Sequence, residues 1–491
     1  MRTFYCAIFL LSCLKTESWA QIETTRKPNI LFILADDLGW SALSCYGNKD
    51  VATPNLDRLA SQGMRFTSAY ADAQCSPSRA ALLSGQYGGR TGLFKVLAEK
   101  EPPRAFLRPP EPNHGLKPEV ATLATTLRQA GYATGMSGKW HIADNHVAAN
   151  LIRRDGGKYF DHYGFDFCGT ARETDHVEDK AVTAITNDII GFIREHKSTP
   201  WFAYAAHVTT HTKLSAPSAL VDKHAARGYK RSTNPGAKFS ERPTAEYLGM
   251  LEHLDDEVGR LLSCLDELDL SRNTVVIFTS DNGGLSRTAS NAPLREGKGS
   301  PYEGGIRVPL IVRWPGQIKP ASNCPTAVHF VDFFPTFVVL SGATVPSEHP
   351  LDGENLLPLW QQSGTLKRHE IYWHMPTYPT NYGRTPCAVV QQDEWKLIHW
   401  FSDYLDPTGF TPDNKPYGKL VLGARTELYN LHDDPSELHD LAFARPQKTQ
   451  NLLRKLQTWQ KSVGAGMPVA NPDFDLKKWW TGTNDVPEGS K

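Results

Sequence analysis

The sequence, 491 residues long, predicts an α/β fold: a large, mostly parallel sheet flanked by helices on both faces, then a smaller unit with an antiparallel sheet and a closing helix. Three observations carry this. Short, continuous apolar runs rich in branched residues, such as Asn29–Ala35 and Thr274–Ser280, read as strands buried on both faces. Helical stretches separate these runs, and such alternation favours a parallel sheet with helical crossovers. From about residue 370 the texture shifts to apolar–polar alternation, in Ile371-Tyr-Trp-His, Ala388-Val-Val, Lys396-Leu-Ile-His-Trp and Glu427-Leu-Tyr-Asn-Leu, as in half-exposed antiparallel strands. The expected division is a leader over 1–20, a large domain over 21–369 and a C-terminal α+β subdomain over 370–491.

The formal net charge is zero, so no global field argues for nucleic acid as a partner. Apolar and charged fractions of 40% and 22% are those of a soluble globular protein, and no segment after the leader is apolar for long enough to span a bilayer. Arg2, the apolar run 4–14 and the small residues Ser18 and Ala20 read as a secretory signal peptide cleaved after Ala20, too short for a membrane span. Leu10-Leu-Ser-Cys13 also resembles a lipobox, which would make Cys13 a lipid anchor. The expectation is an exported protein, periplasmic or secreted. Cysteines 45, 75, 168, 264, 324 and 387 follow the leader, too few and too scattered to staple a chain of this length. The lack of any Asn-x-Ser/Thr acceptor favours a bacterial exported protein.

In chain order, the first strand ends in Asp36-Asp37. Two adjacent carboxylates there repel each other, and either a solvated turn or a hard divalent cation relieves this. Thr53-Pro54-Asn55 opens a capped helix stopping at Gly63, and 64–71 is the next strand. Cys75-Ser76-Pro77-Ser78-Arg79 follows, running on as Ala80-Ala-Leu-Leu-Ser-Gly-Gln86. Pro77 suits the first position of a helix, which sets Cys75 just before a helix N-terminus, with Arg79 one turn on and able to point back. Partial positive charge at that end lowers a thiol pKa or holds an anion. A buried structural cysteine is the alternative. Residues 94–119, rich in Pro and charge, read as an excursion. Helices are expected over 122–130, 179–196, 244–268 and 447–463, and strands over 132–137, 201–206, 274–280 and 310–313. Gly138-Lys139-Trp-His141, His207 with His211, and Asp281-Asn282-Gly-Gly each follow a strand. In open α/β sheets that edge is where ligands bind, so residues far apart in sequence can converge. A second excursion, 212–243, carries Lys213, Lys223, Arg227, Lys230, Arg231, Lys238 and Arg242. It reads as a solvated loop or as a contact for an anionic polysaccharide.

Six blocks in one order resemble the type I sulfatases. They are Asn29-Ile-Leu…Asp36-Asp37-Leu-Gly, Cys75-x-Pro-x-Arg79 with its Leu-Ser-Gly closure, Gly131-Tyr…Gly138-Lys139-Trp-His141, Ser280-Asp281-Asn282-Gly, Lys298…Glu303-Gly-Gly-Ile-Arg307-Val-Pro, and Glu427-Leu-Tyr-Asn-Leu…Asp433-Asp-Pro-Ser-Glu437. The resemblance implies an alkaline-phosphatase-like fold and a sulfuric ester hydrolase of the arylsulfatase or N-acetylgalactosamine-6-sulfatase kind. It implies that a maturation enzyme oxidises Cys75 to formylglycine, that Asp36, Asp37, Asp281 and Asn282 bind one calcium ion with residue 75, and that Arg79 and Lys139 steady the formylglycine. By the same resemblance His141 acts on the formylglycine hydroxyl, Lys298 holds the sulfate, and the substrate is a sulfated saccharide or aryl sulfate. One block departs: relatives often carry His-x-Pro-His-x-Pro, whereas this chain has His207-Val-Thr-Thr-His211-Thr-Lys213-Leu-Ser-Ala-Pro217. His211 aligns through the Ala-Pro that follows it, with His207 as the alternative proton donor.

The implied chemistry starts from a hydrated aldehyde with two hydroxyls on one carbon. One attacks sulfur, His211 protonates the departing alcohol, and His141 takes the proton of the second as sulfate leaves. Two other functions are alternatives, and because some phosphonate hydrolases also use formylglycine, a substrate assay is what separates the first of them. A phosphonate monoester or phosphodiester hydrolase shares the fold but commonly uses Thr or Ser with two zinc ions. A non-catalytic binder of sulfated glycans would result if Cys75 stayed a thiol.

Overall fold

The computed structural model describes residues 26–97, 99–117, 119–143, 158–169, 178–232, 243–379, 384–405 and 420–476. The leader, Cys13, Lys238 and Arg242 lie outside these. The main sheet holds β1 (Asn29–Ala35), β2 (Met64–Tyr70), β3 (Ala133–Gly138), β4 (Phe167–Cys168), β5 (Trp201–Ala206), β6 (Thr274–Ser280), β7 (Arg307–Arg313), β8 (Ser322–Cys324) and β9 (Val328–His329). Their order is β9-β2-β7-β6-β1-β5-β3-β4, with β8 also on β2. β7 runs antiparallel to both β2 and β6, and the other pairs are parallel. The sheet is thus mixed and mostly parallel, as the alternation of elements predicts.

Burial on both faces explains the continuous apolar runs. On one face Ile30, Phe32, Leu34, Phe202, Tyr204 and Ile277 pack under α2 (Cys75–Ser84), α3 (Leu123–Gln129) and α7 (Phe333–Ser341). On the other, Leu31, Ile33, Trp201, Ala203, Val276 and Phe278 meet α1 (Pro54–Ser61), α4 (Val182–Glu195) and α6 (Ala245–Glu267). Of the four central strands, β1, β5 and β6 match the expected bounds, since two-sided burial favours an unbroken apolar run, with polar residues kept at or next to the strand ends.

The antiparallel sheet β10 (Glu370–Met375), β11 (Cys387–Gln392), β12 (Trp395–Trp400) and β13 (Arg425–Asn430) follows, with the closing helix α8 (Pro446–Ser462). One face, through Ala388, Val390, Leu397 and Leu428, joins α8 residues Leu452, Leu456 and Trp459 in the first core. The other, through Ile371, Trp373, Val389, Ile398 and Trp400, packs on Tyr70, Tyr302 and Ile306 of the large domain.

The second excursion is not wholly irregular: α5 (Ser218–Ala226) packs there against α6. Among its described basic residues, Lys223 pairs with Glu252 and Arg231 with Asp222, while Arg227 stands over the Tyr229 ring.

Candidate active site

The site is built on strand ends that stop level with one another. β1 pairs with β5 up to Leu34–Ala206 and with β6 up to Ala35–Ser280. The ladder then runs one bond further, from Asp281 N to the Ala35 carbonyl at 3.1 Å, His207 N to Leu34 at 2.9 Å and Lys139 N to Ala206 at 2.8 Å. Asp36 closes the set, its N–H bonded to the Thr209 carbonyl at 2.8 Å. Asp37 and His141 hold φ of 61° and 60°, conformations that non-glycine residues rarely adopt and that cluster at functional sites. Gly138, at φ 103°, has no alternative: a Cβ there would lie 2.0 Å from the Ala206 carbonyl.

Cys75 is itself the first residue of α2, with Gln74 as N-cap, rather than just ahead of the helix. Pro77 therefore occupies the third position, harmless because the first four N–H groups of a helix lack intrahelical acceptors. All ten residues of α2 are buried. Arg79 does not turn back to the thiol. Its Nε and Nη2 donate to Asp281 Oδ2 at 3.0 and 2.7 Å, Nη2 reaches Asp36 Oδ2 at 3.4 Å, and Nη1 donates to the Lys139 carbonyl at 2.7 Å.

The other side chains gather round Cys75 Sγ. Asp36 Oδ1 lies at 3.4 Å, Asp37 Oδ1 at 3.9 Å and Lys298 Nζ at 3.2 Å. Lys298 Nζ also meets Asp37 Oδ1 at 2.6 Å, and Lys139 Nζ meets Asp36 Oδ2 at 2.5 Å. Asp36, Asp37, Cys75 and Asp281 each present a ligand atom within 4.8 Å of the others. Asn282 Nδ2 donates to Asp37 Oδ1 at 2.9 Å. Two oxygens here, Asp37 Oδ2 and Asn282 Oδ1, are buried without a hydrogen-bond partner, the kind of orphaned acceptor that a cation completes. Apart from Cys75 the donors are the oxygens of three carboxylates and an amide, which suit calcium better than zinc, and among the described residues no histidine belongs to the cluster.

Electrostatics follow from burial and crowding. Burial pushes the Cys75 thiol up, helped by Asp281 and Asp36, so the unmodified thiol is neutral. Burial works against the Asp36 carboxylate, but Lys139, then His211, Arg79 and Lys298, more than offset it and hold Asp36 well below its usual range. Asp281 moves the other way, raised by burial and by the neighbouring Asp36. Burial, then Lys139, keeps both His141 and His211 below the ordinary histidine range.

The two candidate histidines separate clearly. His211 feels Lys139, Asp36, Asp37 and Lys298, and its Nδ1 lies 2.6 Å from the Thr212 carbonyl. His207 is fully buried, neither ring nitrogen has a partner, and burial followed by the charge of His253 lowers it to about 3. The structure thus brings Asp36, Asp37, Cys75, Arg79, Lys139, His141, His211, Asp281, Asn282 and Lys298 together and leaves His207 in the core beneath. Sequence reasoning missed Thr210, whose Oγ1 donates to the Asp37 carbonyl at 3.0 Å. It also missed Gln74, whose Nε2 donates to Glu99 Oε2 at 2.8 Å and ties the residue before Cys75 to the first excursion. Gln74 stands immediately before the Cys75 block, and its place as the helix N-cap is the signal that could have found it.

A family model described as "Sulfatase" matches residues 28–343, and one for the C-terminal part of N-sulphoglucosamine sulphohydrolase matches 298–408. A sulfatase of Formosa agariphila is 30% identical over 92% of both chains. Human arylsulfatase A is 32% identical over 91% of this chain and 90% of its own. Among solved structures, that of Ps i-CgsB, also crystallised with k-i-k-neocarrahexaose, superposes with a TM-score of 0.70 at 26% identity, covering 92% of this chain and 95% of the other. With the matched blocks lying on the strand ends and helix that build the cluster, the chain belongs to the type I sulfatase family and is a sulfuric ester hydrolase.

Proposed function

We propose that this sulfatase removes sulfate from a sulfated carbohydrate, with Cys75 oxidised to formylglycine and one calcium ion held by Asp36, Asp37, Asp281, Asn282 and residue 75. The observation that carries the reading is the cluster of three carboxylates round Cys75, with Lys298 on Sγ and Arg79 and Lys139 on the carboxylates, and two buried oxygens left unpartnered. Bound calcium would supply positive charge at the sulfuryl oxygens and ease the attacking hydroxyl toward alkoxide. The hydrated aldehyde supplies that hydroxyl, and a second one that a serine lacks.

The chain's own residues do the rest. Arg79, Lys139 and Lys298 present fixed cations where charge gathers on the sulfuryl group. His211 donates Nδ1–H to the Thr212 carbonyl, which leaves Nε2 to carry a proton to the departing sugar oxygen. An anionic ester beside it opposes the lowering of its pKa by burial and Lys139. His141, neutral for the same reasons, is the base for the second hydroxyl. The oligosaccharide bound by the neighbour Ps i-CgsB supports a saccharide substrate. The leader supports export, with a maturation enzyme as an obligatory partner, and no helix among the described residues is long and apolar enough to cross a membrane.

Two measurements test this. Mass spectrometry of the peptide containing residue 75 should show one sulfur and two hydrogens replaced by one oxygen. Assay against sulfated mono- and oligosaccharides beside aryl phosphonates should show sulfate release that a chelator abolishes. Turnover of phosphonates alone would overturn the reading.

A further inference from the structure

The loop that delivers Lys298 is held from two sides, by the large domain and by the C-terminal part. Within the large domain its main chain is tied by Lys298 N to the Gly284 carbonyl at 3.1 Å, Gly299 N to Ala73 at 2.8 Å and Asn291 Nδ2 to the Glu296 carbonyl at 2.9 Å. A second set of contacts comes from the C-terminal part. Arg295 lies over the Tyr302 ring at 3.7 Å and donates from Nη1 to the Glu437 carbonyl at 2.8 Å and to Tyr429 Oη at 3.3 Å. Ser436 Oγ donates to the Pro293 carbonyl at 2.6 Å, and Arg384 pairs with Glu296 at 2.6 Å.

Glu437 is in turn anchored. Lys396 on β12, fully buried, lies 2.8 Å from Glu437 Oε1 and 2.9 Å from Glu303 Oε1, while the Glu303 N–H donates to Glu437 Oε2 at 2.6 Å. Gly304 N closes the circuit on the Arg295 carbonyl at 2.8 Å. A buried lysine between two buried carboxylates is a poor stabiliser compared with apolar packing, and where such a group persists a role in specifying geometry is a fair hypothesis.

We propose that the C-terminal sheet sets the position of the Lys298 ammonium, with Arg295 as the positioning residue and Lys396, Glu303 and Glu437 as its anchor. The inference rests on the sulfatase reading for the role of Lys298, and on contacts alone for the coupling. Lys298 Nζ sits 2.6 Å from Asp37 and 3.2 Å from Cys75 Sγ. A displacement of about 1 Å in such a group costs roughly a hundredfold in rate.

The test is Arg295→Met in the full-length, matured enzyme, which keeps apolar cover on Tyr302 and removes both hydrogen bonds. Amide hydrogen exchange of residues 297–300 should speed up at a temperature where the fold is intact. On 4-nitrophenyl sulfate, kcat should fall about 10- to 100-fold with KM changed less than about threefold. Arg295→Lys, which can still reach the Glu437 carbonyl, should recover most of both. Unchanged exchange at 297–300 overturns the proposal, as does kcat within about twofold of the parent. If the parent enzyme releases no sulfate, the sulfatase reading fails, and exchange alone still decides whether Arg295 holds the loop.

Discussion

Replacing Arg79 by glutamine probes the electrostatics of the site most directly. The guanidinium is fully buried and makes two contacts with Asp281, one with Asp36 and one with the Lys139 carbonyl. Without it, two buried carboxylates face each other with Lys139 as the nearest remaining cation on Asp36. Breaking a buried pair from one side costs about 3–5 kcal/mol. Unfolding entropy of about 2.1 cal/mol/K per residue scales over 491 residues to about 1 kcal/mol/K, so the melting temperature should fall by about 3–5 °C. Calorimetry in the presence of a chelator is the assay. The double variant Arg79→Gln/Asp281→Asn removes the stranded charge as well and should recover more than half of the loss, while sulfate release stays abolished in both. Added calcium should narrow the deficit of the single variant more than that of the double, because a cation among the same carboxylates stands in for the guanidinium. A single variant melting within about 1 °C of the parent, or a double variant that loses more than the single, would refute the reasoning.

Three further outcomes follow from the same geometry. His211→Ala should slow release from sugar sulfates by about a hundredfold or more but affect 4-nitrophenyl sulfate far less, because a good leaving group needs no proton. His207→Gln should leave that leaving-group dependence unchanged, and a shift with His207 but not His211 would reverse the assignment. Cys75→Ser should stop turnover and leave a protein that gains the mass of one sulfuryl group after exposure to substrate, and normal turnover would defeat the formylglycine mechanism. His374, bonded from Nε2 to the Gly466 carbonyl at 2.7 Å, is held down to about 4 by burial. The unfolded histidine titrates near 6.5, so the unfolded chain binds more protons below that pH. Stability contributed by neutral His374 is complete above about pH 6.5 and falls as the pH drops toward 4, by about 2 kcal/mol at pH 5. Denaturant titrations of His374→Gln should show that much less acid sensitivity, and parallel pH profiles for the two proteins would dismiss it.

Elements buried on two faces were legible to the residue: β1, β5 and β6 carry unbroken apolar runs, with the small polar residues of β1 and β6 at or next to their ends. The strand β7 was only half legible, because Arg307 and Pro309 disguise its start, and its reversed direction depends on the path of the chain rather than on residue pattern. α5 was missed because Ala and Leu alternate there with charge in no clear stripe, although Pro217 before Ser218 marks its start. The site residues were read by their place after strands and by motif, and the structure gathers them. What the pattern concealed were long-range partners. Lys396 sits among apolar and polar positions as a surface lysine would, and only its burial between Glu303 and Glu437 shows otherwise. Arg79 showed its helical position but not its partner, which lies 202 residues downstream.

Because β5, β1 and β6 end at one level, the reacting groups share a common datum that belongs to the sheet and not to the loops above it. Deleting one residue within β1 would draw Asp36 and Asp37 back by about 3.3 Å and turn them to the opposite face. The excursion between 94 and 119 meets the residue before Cys75 through the Gln74–Glu99 bond and takes no place in those three strands. A scaffold of this kind keeps its reacting groups in register whatever the loops around them do.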